Sequence, residues 1–157
     1  VSKEHAMEDC DRMTMVTTYN RPEVHLAVQP AGGGIATARD LSRFYAMMIG
    51  GGYLEGARVL NPDTVEEVTK LQVEGMDHTL ERPVRRSLGL TLGDGRMGST
   101  EQMNDRTFGH AGAGTSVGWA DPDLGLAVGY ITNGFRAEHS NTPRLSAISQ
   151  AVRDACL

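Results

Sequence analysis

The sequence has little of what several large protein classes require. Only two cysteines occur in 157 residues, Cys10 and Cys156, and their separation fits no metal or redox motif. No apolar run approaches the roughly 18 residues that a membrane span needs. The polar start V-S-K-E-H also lacks the apolar core of a signal peptide. We therefore expect a soluble protein with no metal, cofactor or membrane partner; the compartment stays open, with the cytoplasm favoured.

An excess of basic charge is missing as well. Lys plus Arg number 15 against 20 Asp plus Glu, which gives a formal net charge of −5. The one basic cluster is Arg82, Arg85 and Arg86, which we expect in a solvated loop. A net acidic domain does not attract nucleic acid or anionic membranes without a basic surface. The composition therefore argues against a nucleic-acid partner.

The length suits one domain with a single core, although the chain has no initiating Met and can be a piece of a longer one. Residues 1–29 form a poorly defined lead-in, with a helical turn or two near the start and a short strand at Thr14 to Tyr19. Residues 30–157 carry the clearer patterns and are predicted to form the structured domain.

Capping residues predict three helices. Thr37, with Asp40 three residues later, is typical of a capping box after the glycine loop of residues 30–34. Asn61-Pro62 and Thr142-Pro143 each place Pro at a first helical position. The apolar positions expected to face the core are Leu41, Phe44, Tyr45 and Met48, then Val65, Val68 and Leu71, and finally Leu145, Ile148, Val152 and Ala155.

Between these helices, the pattern changes to the period of a strand. Residues 75–85 are predicted to be a polar crossing, and residues 87–92 alternate as a half-buried strand. Residues 94–106 are predicted to be a long polar loop. Helices therefore come first, then strands without helical crossovers, then a closing helix. This order predicts an α+β fold in which an antiparallel sheet is flanked by helices.

The stretch from Phe108 to Asn133 is the most informative. It is predicted to be an antiparallel hairpin with its turn at D-P-D-L-G, residues 121–125. Its first arm would place His110, Gly112, Gly114 and Ser116 on one face, where a core strand would carry bulky residues. Such a strand leaves room for another backbone or a ligand to approach closely.

These residues carry a resemblance to a known family. F-G-H-A-G-A-G at 108–114, with G-W-A-D-P-D-L-G-L-A-V-G-Y-I-T-N after it, resembles the third active-site element of the serine β-lactamase-like hydrolases: class C β-lactamases, penicillin-binding proteins and related esterases. His110-Ala111-Gly112 matches the His form of its triplet. P-A-G-G-G-I-A-T-A-R-D-L-S-R-F-Y at 30–45 resembles the Gly-Gly loop and helix of the same family.

The resemblance implies a C-terminal portion of such a fold and a role for three residues. His110 would orient substrate and support proton movement, Gly112 would let substrate lie close to the strand, and the Ala113 N–H would be one of two oxyanion donors. The His form favours an esterase that acts on a small-molecule ester or amide through an acyl-enzyme. A β-lactamase or penicillin-binding activity is the alternative.

The nucleophile half of the chemistry is absent from these residues. The family uses Ser-x-x-Lys on a helix, whose spacing puts both side chains on one face. The only lysines are Lys3 and Lys70, and Glu67 stands where the second would need Ser. We therefore expect this chain to be inactive alone, and a non-catalytic binding module of the same fold stays open.

Two further expectations follow. Gly114-Thr115-Ser116-Val117-Gly118 matches the G-x-S-x-G of α/β-hydrolases, but a turn and not a helix is predicted after it, so Ser116 is not favoured as a nucleophile.

If these residues form only part of a sheet, an unpaired strand edge would be exposed and the chain could self-associate through it.

Overall fold

The computed structural model describes residues 17–98, 106–114 and 116–156. The helices are α1 Pro22–His25, α2 Ala38–Ile49, α3 Pro62–Thr69 and α4 Glu138–Asp154, with a 3-10 turn at Gly95–Met97. The strands are β1 Tyr53–Leu54, β2 Ala57–Arg58, β3 Val73–Asp77, β4 Arg82–Arg86, β5 Thr91–Leu92, β6 Phe108–Ala111, β7 Val117–Asp121 and β8 Leu126–Tyr130. Residues 17–19 are helical, so the strand predicted there is wrong. The helical turn predicted near residue 1 lies outside the described residues.

The sheet confirms the predicted fold class. Six strands lie in the order β3-β4-β5-β6-β7-β8, and every neighbouring pair is antiparallel. β1 and β2 form a separate two-stranded ribbon. One face of the sheet packs on α2 and α3 through a core that includes Tyr45, Met48 and Phe108. The other face packs on α4 around Trp119 and Leu145, which gives helices on both sides of an antiparallel sheet.

Helix α2 begins where its capping residues predict. The N–H of Asp40 donates to Thr37 Oγ1 at 3.1 Å, and the N–H of Thr37 donates to Asp40 Oδ2 at 3.0 Å. These two bonds satisfy donors that a helix start would leave open. Phe44 is 44% exposed although it was predicted to face the core, and Met47 is buried instead.

Helix α4 begins earlier than its proline predicts. Pro143 was expected at the first helical position, but it lies inside the helix. The carbonyl of Ala137 accepts from the N–H groups of Ser140 and Asn141, and this extends the helix upstream of the proline. Helix α3 does begin at Pro62, but Leu71 lies past its end and is 39% exposed.

The predicted polar crossing is in fact an antiparallel hairpin, and the cluster Arg82, Arg85 and Arg86 lies on a strand, β4. Glu74 stands opposite Arg85 and Asp77 opposite Arg82. Cross-strand ion pairs hold this polar ribbon: Arg85 Nε lies 3.3 Å from Glu74 Oε1, and Arg86 Nη2 lies 3.5 Å from Asp77 Oδ2. The sequence pattern missed these strands because neither face of the hairpin carries a continuous apolar row.

The predicted strand at residues 87–92 is shorter than expected. Only Thr91 and Leu92 belong to β5, because residues 87–90 form a turn closed by the Ser87 N–H and the Leu90 carbonyl at 3.0 Å. Of the predicted loop 94–106, the described part begins with the 3-10 turn that Asp94 caps. Among the helices of the described residues, none has both the length and the apolar character needed to cross a bilayer.

Candidate active site

The stretch from Phe108 to Tyr130 is three strands rather than one hairpin. β7 and β8 join at residues 121–125 as predicted, with Trp119 opposite Val128. The first arm, however, folds back on itself between β6 and β7, so His110 stands opposite Gly118. Gly114 has a φ of +68°, a left-handed conformation that suits glycine in a turn. The predicted single face holding His110, Gly112, Gly114 and Ser116 is therefore wrong.

Two glycines on neighbouring strands, Gly118 on β7 and Gly129 on β8, nevertheless lie side by side near the site. Gly118 pairs with His110 on one side and with Gly129 on the other. A Cβ on Gly118 would lie 2.3 Å from Cε2 of Tyr45, and one on Gly129 would lie 2.4 Å from the carbonyl oxygen of Ala38. Helix α2 of the chain itself therefore makes the close approach that these glycines predicted.

Tyr45 on α2 supports the strand that carries His110. Burial raises the pKa of the Tyr45 hydroxyl to about 12, although a hydrogen bond with the His110 backbone acts in the opposite direction. A bond that favours the phenolate must come from a donor, which on the backbone is the N–H. Tyr45 thus contacts the strand that carries His110, which its position among the predicted core residues did not indicate.

His110 is exposed at the end of β6. Its Nδ1 lies 2.8 Å from the carbonyl oxygen of Ala111. A carbonyl oxygen can only accept, so Nδ1 is the donor in this contact. Any second hydrogen bond of the ring is made at Nε2.

The backbone after His110 has an open edge. β5 pairs with β6 only at Thr91–Gly109 and Leu92–Phe108, so His110 and the residues after it lie beyond the end of β5. The N–H of Gly112 donates to the Ser116 carbonyl at 2.8 Å and closes the turn. Ala113 is exposed, and within the described residues its N–H has no hydrogen-bond partner. This N–H is available to a ligand.

A cavity of about 410 Å³ lies between this turn and the glycine loop. Its wall comprises Tyr19, Val24, His25, Ala31, Gly32, Gly33, Gly34, Ile35, Gly112, Ala113, Ser116 and Phe135. Of the predicted site residues, Gly112 and Ala113 thus line it, while His110 lies outside the lining. His25, Tyr19 and Phe135 were not predicted here, because isolated side chains on short segments carry no periodic signal.

The antiparallel sheet eliminates the α/β-hydrolase interpretation of Ser116. That interpretation needs a parallel sheet and a helix directly after the serine. Ser116 is followed by β7, which is antiparallel to both β6 and β8. In the parts of the chain that the structure describes, no group of three His, Cys, Asp or Glu side chains could hold a metal ion.

A buried polar cluster anchors α4 behind the site. Arg153 pairs with Asp121, and its guanidinium lies 4.5 Å from the centre of the Trp119 ring. The indole N–H of Trp119 donates to Ser149 Oγ at 3.0 Å, and that hydroxyl donates to the Arg96 carbonyl at 2.9 Å. Burial alone would raise the pKa of Asp121, but the Arg153 bond brings it below its usual value. These bonds hold helix, sheet and 3-10 turn together.

Comparison with known proteins agrees with this architecture. The sequence profile of the beta-lactamase family matches residues 3–153, and the chain belongs to this family. The family includes serine hydrolases, both esterases and β-lactamases. The esterase/beta-lactamase LipL of Mycobacterium tuberculosis is 34% identical over 108 residues, which are 66% of this chain and 23% of LipL.

Two solved structures share the fold. A penicillin-binding protein homologue from Caulobacter crescentus is 25% identical with a TM-score of 0.64, over 78% of this chain and 32% of its own. A family VIII carboxylesterase is 27% identical with a TM-score of 0.63, over the same 78% and 32%. The chain thus spans about a quarter to a third of the length of these relatives.

Proposed function

We propose that these residues form the C-terminal wall of the active site of a serine hydrolase, an esterase that acts on small-molecule esters through an acyl-enzyme. The observation that carries the proposal is the exposed Ala113 N–H, which lacks a partner among the described residues and lies in the wall of the cavity. An N–H so placed can stabilise the oxyanion that forms when a hydroxyl attacks an ester carbonyl.

Each of the three predicted site residues would have a separate role in the reaction. Ala113 would donate one hydrogen bond to the carbonyl oxygen as it gains charge. His110 would orient the substrate and accept or return a proton at Nε2. Gly112 would keep the backbone close to the substrate. A Cβ added at this position would lie 2.3 Å from Ser116 Oγ, so it would point at Ser116. The attacking serine and its base would come from other polypeptide, because these 157 residues contain no Ser-x-x-Lys.

The acyl transfer would then proceed in two steps, formation of the acyl-enzyme and its hydrolysis. The serine oxygen bonds to the ester carbonyl carbon, the alcohol leaves with the serine proton, and water later releases the acid. The His in H-A-G supports an esterase, and the carboxylesterase and LipL comparisons are consistent with it. A β-lactamase activity would use the same steps on an amide.

A non-catalytic module of the same fold is the second candidate, favoured by the missing Ser-x-x-Lys. A fluorophosphonate probe, which reacts covalently with an activated serine, separates the two. We expect the complete product of the gene to be labelled and the 157-residue chain to remain unlabelled. A Ser116→Ala variant of the complete product should label as well as the native protein.

Two outcomes would contradict the proposal. If the complete gene product is not labelled and hydrolyses no ester, the non-catalytic module is correct. If the 157-residue chain is labelled at Ser116, the nucleophile lies within it and the assignment of roles is wrong.

A further inference from the structure

The cavity beside Ala113 is lined mainly by apolar side chains and glycine, and no Asp, Glu, Lys or Arg lines it among the described residues. Bulky side chains face it from three separate segments: Tyr19 and Val24 near α1, Ile35 after the glycine loop, and Phe135 after β8. Ile35 is 78% exposed and Phe135 is 37% exposed. Apolar side chains that remain this accessible can still bury surface against a ligand.

The glycine loop of residues 30–34 packs directly against Tyr19. A Cβ on Gly32 would lie 2.7 Å from the Tyr19 hydroxyl oxygen, so only glycine lets the ring lie this close to the backbone. The N–H groups of Gly32 and Gly33 both donate to the Gln29 carbonyl, at 3.2 and 2.7 Å. The loop is thus a closed turn against Tyr19, and this accounts for glycine at positions 32 and 33.

The part of the wall that the described residues form has no Lys or Arg side chain to neutralise an anionic substrate. No Asp, Glu, Lys or Arg lines the cavity within the described residues, and His25 is the one imidazole there. Arg136 is adjacent in sequence to Phe135, but it is the Arg136 backbone N–H that donates to the Gly114 carbonyl, at 2.8 Å, and its side chain is not part of the lining. A carboxylate placed in this cavity would lose water without gaining a charged partner.

We propose that Ile35, Phe135 and Tyr19 are specificity-determining residues that select a neutral, apolar substituent of the ester. This inference rests on the proposed function. All three side chains line the cavity and are accessible, so their size limits the substituent. The described lining holds no Asp, Glu, Lys or Arg, and this discriminates against acidic substituents. The acyl or the alcohol side of the ester can occupy the cavity, and the experiment distinguishes them.

The test uses the complete gene product and two series of neutral esters. One series varies the acyl chain from acetate to octanoate with p-nitrophenol constant, and the other varies the alcohol with acetate constant. Each methylene buried against the wall is worth about fourfold in kcat/KM. Ile35→Ala should raise the ratio of kcat/KM for long over short substituents at least about threefold in one series, and Ile35→Phe should lower it.

The charge selection is tested with acyl groups of equal length. We expect p-nitrophenyl hexanoate to exceed the p-nitrophenyl monoester of adipic acid at least about tenfold in kcat/KM, because the latter carries a carboxylate into the cavity. Ile35→Arg should narrow this ratio by placing a cation in the wall.

Val28→Ala is the matched control, because Val28 is an aliphatic side chain of the same segment, 94% exposed and outside the lining. If esters are hydrolysed but the Ile35 variants change the ratios in both series no more than Val28→Ala does, the inference is overturned while the proposed function stands. If no ester is hydrolysed, the proposed function fails and the inference with it. Equal rates for the neutral and acidic acyl groups would overturn the charge selection.

Discussion

Ala113 is the residue whose backbone carries the proposed chemistry, so its N–H can be tested separately from its side chain. Proline at this position removes the N–H, whereas serine keeps it. In the complete gene product we expect Ala113→Pro to lower kcat by about 10² to 10³, the usual cost of one oxyanion donor. Steady-state kinetics on p-nitrophenyl butyrate would measure it.

The serine variant is the control for this change. Ala113 is exposed, so a hydroxyl can be added without crowding the turn. Ala113→Ser should therefore retain activity to within a few-fold. Equal losses in the two variants would show that the side chain, rather than the N–H, matters at this position.

Asp94 is a second residue with a measurable signature, because its carboxylate is buried among arginines. Its Oδ2 lies 2.7 Å from Arg96 Nη2 and 3.4 Å from Arg82 Nη1. Burial acts to raise the pKa of Asp94, but the bonds and charges of Arg96 and Arg82 outweigh it and lower the pKa to about 2. The folded state therefore binds the ionised form more strongly than the unfolded state does.

The lowered pKa of Asp94 makes the stability of the fold depend on pH. With a folded pKa of about 2 against an ordinary value of 3.8, the ionised Asp94 contributes its full stabilisation above about pH 4 and loses it as the pH falls toward 2. Asp94→Asn should lower the free energy of unfolding by about 2 kcal/mol at pH 7 and by much less near pH 2. Urea unfolding at both pH values measures this.

Asp63, exposed in the first turn of α3, provides the comparison. Asp63→Asn should cost only a few tenths of a kcal/mol at pH 7, as a surface acid at a helix start does. A loss for Asp94→Asn that stayed constant from pH 7 to pH 2 would exclude ionisation as its source.

Among the elements, the contact of α2 with the sheet depends on glycine. Gly118→Ala would place a methyl carbon 2.3 Å from the Tyr45 ring and 2.9 Å from Cγ of Leu41. Since this ring also holds the His110 strand, we expect a loss of about 1–3 kcal/mol in unfolding free energy from overpacking. Gly134→Ala, where a Cβ meets nothing within 4 Å, should be close to neutral. Similar losses in both variants would contradict a cost specific to the helix contact, because the lower backbone entropy of the unfolded chain would by itself favour folding in both.

The elements that sequence reasoning predicts well are those whose signal is local. The capping box at Thr37 and the turn at residues 121–125 each need only a few adjacent residues, and both are confirmed. The β3–β4 hairpin was missed because neither of its faces carries a continuous apolar row and its cross-strand pairs, such as Glu74 with Arg85, join residues far apart in sequence. Such pairs have no period along the chain.

The candidate site shows the same limit. The glycines between Phe108 and Gly114 indicated a close approach, but not that the chain would turn back at Gly112 and set His110 beside Gly118. Nor could sequence place Tyr19 and Phe135 in one cavity, because they are over a hundred residues apart and meet only through the fold. The boundary predicted at residue 29 stays a prediction, although Tyr19 packs on the glycine loop beyond it.

For the molecule as a whole, the sheet has two ends, β3 and β8, that no described strand covers. β3 carries Glu74 and Asp77, and charged side chains on an edge strand oppose pairing with another chain. β8 pairs with β7 on one side and is last in the strand order. An outer row of unpaired N–H and carbonyl groups is a template for another strand. We therefore predict that the isolated 157-residue chain, of 16.9 kDa, self-associates through β8. Light scattering coupled to size-exclusion chromatography should show its apparent mass rise with concentration.

Two neighbouring proline variants sharpen this test. Successive N–H groups of a strand point to opposite sides, so of Ala127→Pro and Val128→Pro one removes an outer donor and the other a donor to β7. The outer variant should keep the fold, measured by circular dichroism, and yield a monomer. The inner variant should lose stability. A native chain that stays monomeric at millimolar concentration would refute association through β8.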